Sequence, residues 1–120
     1  MTVRDDANEL LFVYGTLLLE RVQLAQFGRT VPGFDDVLPG YRLSTVSVED
    51  PDVVAKSGET VHPVVVPTGR GTDEVNGRVL RITTEELRRA DEYEVDDYKR
   101  VAANLRSGLR AWVYVEAGDG

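Results

Sequence analysis

None of the 120 residues is a cysteine, so disulfides, thiolate nucleophiles and cysteine-based zinc sites are excluded. Histidine occurs once, as His62, which argues against a His-rich metal site and against a Ser-His-Asp relay. Positive charge is also scarce: 14 Lys and Arg against 21 Asp and Glu leave a net charge of −7. Nucleic acids need clustered Lys and Arg, and anionic membrane surfaces make the same demand, so neither partner is expected. No apolar stretch approaches the length of a membrane span, and residues 1–9 are polar and acidic rather than signal-like. The expectation is a cytoplasmic protein. Repeats and low-complexity segments are absent as well.

What remains is ordinary for a globular protein, with 42% hydrophobic and 29% charged residues. The length suits one domain with a real core. We place it over residues 10–117, after a solvated, flexible tail at 1–9. Leu10-Leu11-Phe12-Val13 reads as a buried strand running into Tyr14. The segment from Glu20 to Phe27 carries Val22, Leu24 and Phe27 and is followed by Gly28, which predicts a short helix. Pro32, Gly33, Pro39 and Gly40 mark residues 29–40 as loop around a short strand at most. Strands are expected over Tyr41–Val46, over Val61–Val66 at an edge because of Pro63, and over Val75–Ile82.

The second helix has the stronger local signal. Thr83 caps it, Glu86 stands three residues later as the capping-box partner, and Leu87 begins the apolar stripe. It is expected to run to about Tyr93 or Glu94. Strands over Tyr98–Leu105 and Leu109–Glu116 then flank Arg106-Ser107-Gly108 as a hairpin. The sum is an α+β domain, mostly antiparallel or mixed β with two main helices.

Two places stand out for chemistry. Gly15 follows Tyr14 as a sharp exit from the first strand, and such a turn leaves backbone N–H groups able to hold an anion. An ordinary strand-to-loop turn fits the same residues. The other place is Glu94. Seven residues after Leu87 it lies within about 20° of it on a helix, so it projects from the inward stripe. Burial, the helix C-terminus and nearby Asp91, Asp96 and Asp97 would all raise its pKa, which suits a general base and acid. Two other readings remain open: the chain leaves the helix before Glu94, or Glu94 pairs with Arg100, Arg42 or Arg110.

Around these places the other candidates read as structural. Asp91, Asp96 and Asp97 suit solvated helix-end charges, and Trp112 and Tyr114 suit packing. His62 reads as a loop or edge histidine. Tyr98 and Arg100 share one side of their strand. If that side faces the pocket, Tyr98 offers a hydroxyl and Arg100 a charge; a packing pair is the alternative for Arg100. Thr68-Gly69-Arg70-Gly71 lacks any phosphate-loop spacing.

Taken together, Leu11-Phe12-Val13-Tyr14-Gly15-Thr16-Leu17-Leu18, Val75-Asn76-Gly77-Arg78-Val79-Leu80, Ala90-Asp91-Glu92-Tyr93-Glu94, Tyr98-Lys99-Arg100-Val101 and Ala111-Trp112-Val113-Tyr114-Val115 resemble the gamma-glutamylcyclotransferase-like superfamily, most closely its AIG2-like branch. The third segment looks like its Leu-Asp-x-(Phe/Tyr)-Glu-Gly motif, with Ala90 in place of leucine and Val95 in place of glycine. The resemblance implies a small β-barrel-like α+β fold with one cavity. It also implies cleavage of a small-molecule gamma-glutamyl amine or amide by intramolecular cyclisation to 5-oxoproline, with neither cofactor nor metal. Glu94 falls on the family's catalytic glutamate, Tyr14, Gly15, Thr16 and Leu17 on its substrate loop, and Tyr98 on its pocket tyrosine. A non-catalytic small-molecule binding protein using the same cavity is the alternative. Neither the leaving amine nor the oligomeric state is legible.

Overall fold

The computed structural model describes residues 8–47, 51–52, 55, 61–93 and 98–116. The apolar run near the start forms β1, Glu9–Val13, and its lack of polar alternation has a direct cause. The strand is enclosed on both edges and both faces. One edge pairs antiparallel with β5 (Glu74–Ile82) and the other parallel with β7 (Arg110–Glu116). Leu11 and Val13 pack on one face with Leu80, Ile82 and the helices, while Phe12 packs on the other with Val65, Val79 and Val113. A strand buried on both faces needs apolar residues at every position.

The helices cover the first of those faces. Helix α1, Glu20–Phe27, stops where Gly28 adopts φ 76° and its N–H bonds the Leu24 carbonyl at 2.9 Å. Its inward face is not the expected one, because Leu24 is 52% exposed while Gln23 and Gln26 are buried. Those amides are satisfied. Gln23 donates to the Leu17 carbonyl and accepts from the Val31 N–H, both at 2.8 Å, and Gln26 donates to the Arg89 carbonyl. Helix α2, Thr84–Tyr93, begins at the expected capping box. The Thr83 N–H donates to Glu86 at 2.9 Å and the Glu86 N–H to the Thr83 hydroxyl at 3.0 Å. Glu86 is only 2% exposed, and Arg29 grips its carboxylate through two 2.8 Å bonds, so the buried charge is paired. Leu87, Ala90 and Tyr93 form the buried stripe.

The loop expected over residues 29–40 is instead largely strand. β2, Gly33–Pro39, pairs with β5 along its whole length as an edge strand. Propensity predicts otherwise because Asp35, Asp36 and Pro39 are poor strand residues, but an edge tolerates them. Gly33 is required by contact, since a Cβ there would lie 2.3 Å from the Val79 carbonyl oxygen. Asp36 is held by two donors: the Ser107 hydroxyl at 2.5 Å and the neighbouring Val37 N–H at 2.8 Å.

The five-stranded sheet runs β2-β5-β1-β7-β6, with β6 (Tyr98–Asn104) antiparallel to β7 around the expected hairpin. β3 (Tyr41–Ser47) and β4 (Val61–Pro67) form a separate antiparallel pair. The sheet curls as a barrel would but does not close. Among the described residues, hydrogen bonds tie the β3–β4 pair to the rest of the fold at both ends. At one end the Gly40 N–H bonds the Asp73 carbonyl and the Thr68 N–H bonds the Gly40 carbonyl, each at 2.8 Å. At the other the Tyr98 hydroxyl donates to the Pro63 carbonyl at 2.6 Å. No described helix is long and apolar enough to cross a membrane.

Two predictions follow from this packing. A Cβ on Gly77 would lie 2.4 Å from the Val13 carbonyl oxygen and 2.6 Å from the Phe12 ring. Gly77→Ala is therefore expected to cost about 2 kcal/mol in urea unfolding, and an unchanged midpoint would refute the contact. For Asp36, burial raises the carboxyl, but hydrogen bonds from Ser107 and Val37 outweigh it and hold its pKa below the ordinary value. Its stabilisation is present above the unfolded-state pKa and lost as pH falls through the lowered folded value. Asp36→Asn should cost about 1–2 kcal/mol at pH 7, with the gap to wild type closing on acidification below about pH 4.

Candidate functional site

Because β1 is enclosed on every side, the chain can leave it only at its end. It does so through Tyr14 and Gly15 into a 3-10 turn, Thr16–Leu18. Gly15 has φ −123°, so a left-handed conformation is not the reason for glycine here. Pro63 of β4 lies close by, its Cγ 3.1 Å from where a Cβ would stand. The turn's bonds run from the Leu18 N–H to the Gly15 carbonyl at 3.0 Å and from the Leu19 N–H to the Thr16 carbonyl at 2.9 Å. The Thr16 and Leu17 N–H groups have no acceptor within such a turn.

Around this exit lies a small cavity of about 20 Å³. Tyr14, Gly15, Thr16 and Leu17 line it together with Tyr98, so five of the six expected site residues come together. The sixth, Glu94, lies outside the described residues, as do Val95, Asp96 and Asp97. Its chain neighbour Tyr93 is described and ends α2. The Tyr93 hydroxyl is 2.8 Å from the Thr16 hydroxyl, which ties the end of the helix to the loop.

The loop residues differ in what they present. Leu17 is 3% exposed and belongs to the core beneath the helices, so its backbone is the part that suits a ligand. The Tyr14 hydroxyl donates to the Tyr114 carbonyl at 2.5 Å, and the Tyr98 hydroxyl to Pro63. Both phenols spend their proton within the fold.

Arg100 does not serve the cavity. Its guanidinium binds Asp91 through 2.8 and 3.0 Å bonds and lies 4.3 Å from the Trp112 ring centre. Asp91 also accepts the Tyr114 hydroxyl at 2.7 Å, so it is a bonded junction between α2, β6 and β7 rather than a solvated end charge. Trp112 is partly buried against the core, as expected of a packing residue, and donates to Glu9 at 3.1 Å. Thr68-Gly69-Arg70-Gly71 takes no part in the cavity wall.

The residue that sequence reasoning passed over is His62. It is 3% exposed and lines the cavity beside Pro63. Its strand position was legible, but its access to the cavity depends on how the β3–β4 pair folds over β1. Among the described lining residues there is no Asp, Glu, Lys or Arg. The described residues also contain no group of three or more His, Asp or Glu placed to hold a metal.

The family model for gamma-glutamyl cyclotransferase, AIG2-like, matches residues 11–119. The chain belongs to this family. Among solved structures it is similar to an Arabidopsis thaliana protein, at 25% identity and a TM-score of 0.67, covering 97% of this chain and 66% of that one. It is similar also to a gamma-glutamyl cyclotransferase, at 20% identity and a TM-score of 0.69, with coverage of 92% and 67%. An uncharacterised Pyrococcus horikoshii protein shares the fold at 19% identity and a TM-score of 0.61, with coverage of 93% and 80%. The chain thus spans about two thirds of the length of the first two. No curated protein sequence matches it.

The Tyr98–Pro63 bond should be measurable as a local anchor. Tyr98→Phe is expected to lower stability by about 1 kcal/mol and to accelerate amide exchange in β3 and β4 more than in β1 and β5. Uniform acceleration across both sheets would show that this bond does not hold the β3–β4 pair in place.

Proposed function

We propose that this chain cleaves a gamma-glutamyl amine or amide by intramolecular cyclisation, with Glu94 as general base and acid. The observation that carries the reading is the bond between Tyr93 and Thr16, which draws the end of α2 onto the loop lining the cavity. Glu94 is the next residue in the sequence.

In this reaction the substrate's own alpha-amino nitrogen attacks its gamma-carbonyl carbon. A five-membered ring C–N bond forms, the original amide C–N bond breaks, and the products are 5-oxoproline and a free amine. The nitrogen must lose a proton and the leaving amine must gain one, so a single carboxyl can relay it. Glu94 carries the carboxyl that this relay needs. The Thr16 and Leu17 N–H groups suit either the glutamyl alpha-carboxylate or the developing oxyanion. Both reacting groups belong to one molecule, so holding it folded within aromatic walls supplies much of the rate.

The test is release of 5-oxoproline from a panel of gamma-glutamyl amino acids and amines, followed by mass spectrometry. Glu94→Gln is expected to lower turnover about 10³-fold while retaining ligand binding. Turnover that survives the substitution would remove Glu94 from the mechanism. A folded wild-type protein that binds these compounds and releases no product from any of them would instead be a binding protein.

A further inference from the structure

Besides the cavity at the end of β1, the unclosed sheet leaves a cleft of about 450 Å³ between β6 and the β3–β4 pair. Small-molecule sites typically measure about 300–1,000 Å³. The described lining residues of the two openings do not overlap. The cleft is bordered by Val66 and Pro67 on β4 and by Val101 and Ala102 on β6. Successive strand residues point to opposite faces, so a cleft touching both members of such a pair runs along the strand's edge. β6 is the last strand of its sheet, and the ladder partner of β4 is β3. The cleft therefore lies where closure of the barrel would join two strand edges. We propose that it binds a small monocarboxylate with an apolar body, the carboxylate pairing with Lys99.

The walls are mostly apolar, and two donors stand on them, the Lys99 ammonium and the Tyr41 hydroxyl. Neither has a hydrogen-bond or ion-pair partner among the described residues. Lys99 lies in register with Val115 and shares a strand face with it and with Val101. Its stem can follow that apolar wall while the ammonium stays at the rim. Glu116 also borders the cleft. It follows Val115 in β7 and pairs with Tyr98, so alternation turns its side chain to the other face. The neighbouring cation on β6, Arg100, is on that other face as well and is bound to Asp91.

One full positive charge and one phenol donor over an apolar wall match a single carboxylate. Its two oxygens accept both donors, and the charge-assisted bond is the stronger of the two. A dianion would keep unpaired charge beside apolar side chains, and a cation would be repelled by Lys99. A neutral ligand would fill the cleft and leave the ammonium without its counter-charge.

The test is amide NMR of the full chain titrated at pH 7 with octanoate, octanamide and acetate. Octanoate is expected to bind saturably and to shift the amides of Val66, Lys99, Val101 and Ala102 more than those of Tyr14 to Leu17. Its affinity should exceed that of octanamide, which lacks the charge, and of acetate, which lacks the apolar body, by about tenfold each. Lys99 is exposed, so its replacement leaves the core untouched. Lys99→Gln should abolish the preference for octanoate over octanamide, and Lys99→Arg should retain it. Equal affinity for octanoate and octanamide overturns the proposal, as does a preference that survives Lys99→Gln. Shifts centred on Tyr14 to Leu17, or no saturable binding of octanoate, overturn it too.

Discussion

Enclosure of β1 is the constraint from which the site follows. Its edges are taken by β5 and β7, and its faces are covered by two separate apolar clusters. Full burial of Leu11 and Phe12 gives the strand a fixed position, with roughly 2 kcal/mol of transfer free energy for each side chain. A strand so enclosed has one free end. There the chain turns within hydrogen-bonding reach of α2 and against the proline of β4. The loop therefore projects from a strand held on both edges and both faces, which is what a site needs to hold a small ligand accurately.

Three tethers converge on that end from different parts of the sequence. Tyr93 brings α2 to Thr16, Tyr98 brings β6 to Pro63, and Tyr14 reaches the Tyr114 carbonyl of β7. Each is a phenol spending its hydroxyl on positioning. Asp91 adds a fourth junction by holding Arg100 and Tyr114 together. The tyrosines of the cavity are thus largely structural members whose rings also form its wall.

The features legible in the sequence were those decided by neighbours along the chain. The capping box of α2 depends only on residues three apart, and Gly28 ends α1 through its own backbone freedom. Assembly of Tyr14 to Leu17 with Tyr98 was legible through family likeness, since nothing local connects those segments. β2 was missed because its strand state is imposed by β5, against the preferences of Asp35, Asp36 and Pro39. The inward glutamines of α1 were missed for a related reason: their burial is tolerated only because distant carbonyls and N–H groups satisfy them. Arg100 and Asp91 were separate candidates until β6 came to lie beside α2.

The lack of Lys and Arg among the described wall residues bears on how one carboxyl can carry the proposed chemistry. A lysine or arginine in the wall would hold a nearby carboxylate firmly ionised and make it a poor proton donor to the leaving amine. Keeping Arg100 on Asp91 avoids that at the described wall. Backbone donors orient an anion without adding a titrating charge. Recognition and proton transfer can then share a small space, provided the fixed charges are neutralised outside it, as they are in the Arg29–Glu86 and Arg100–Asp91 pairs.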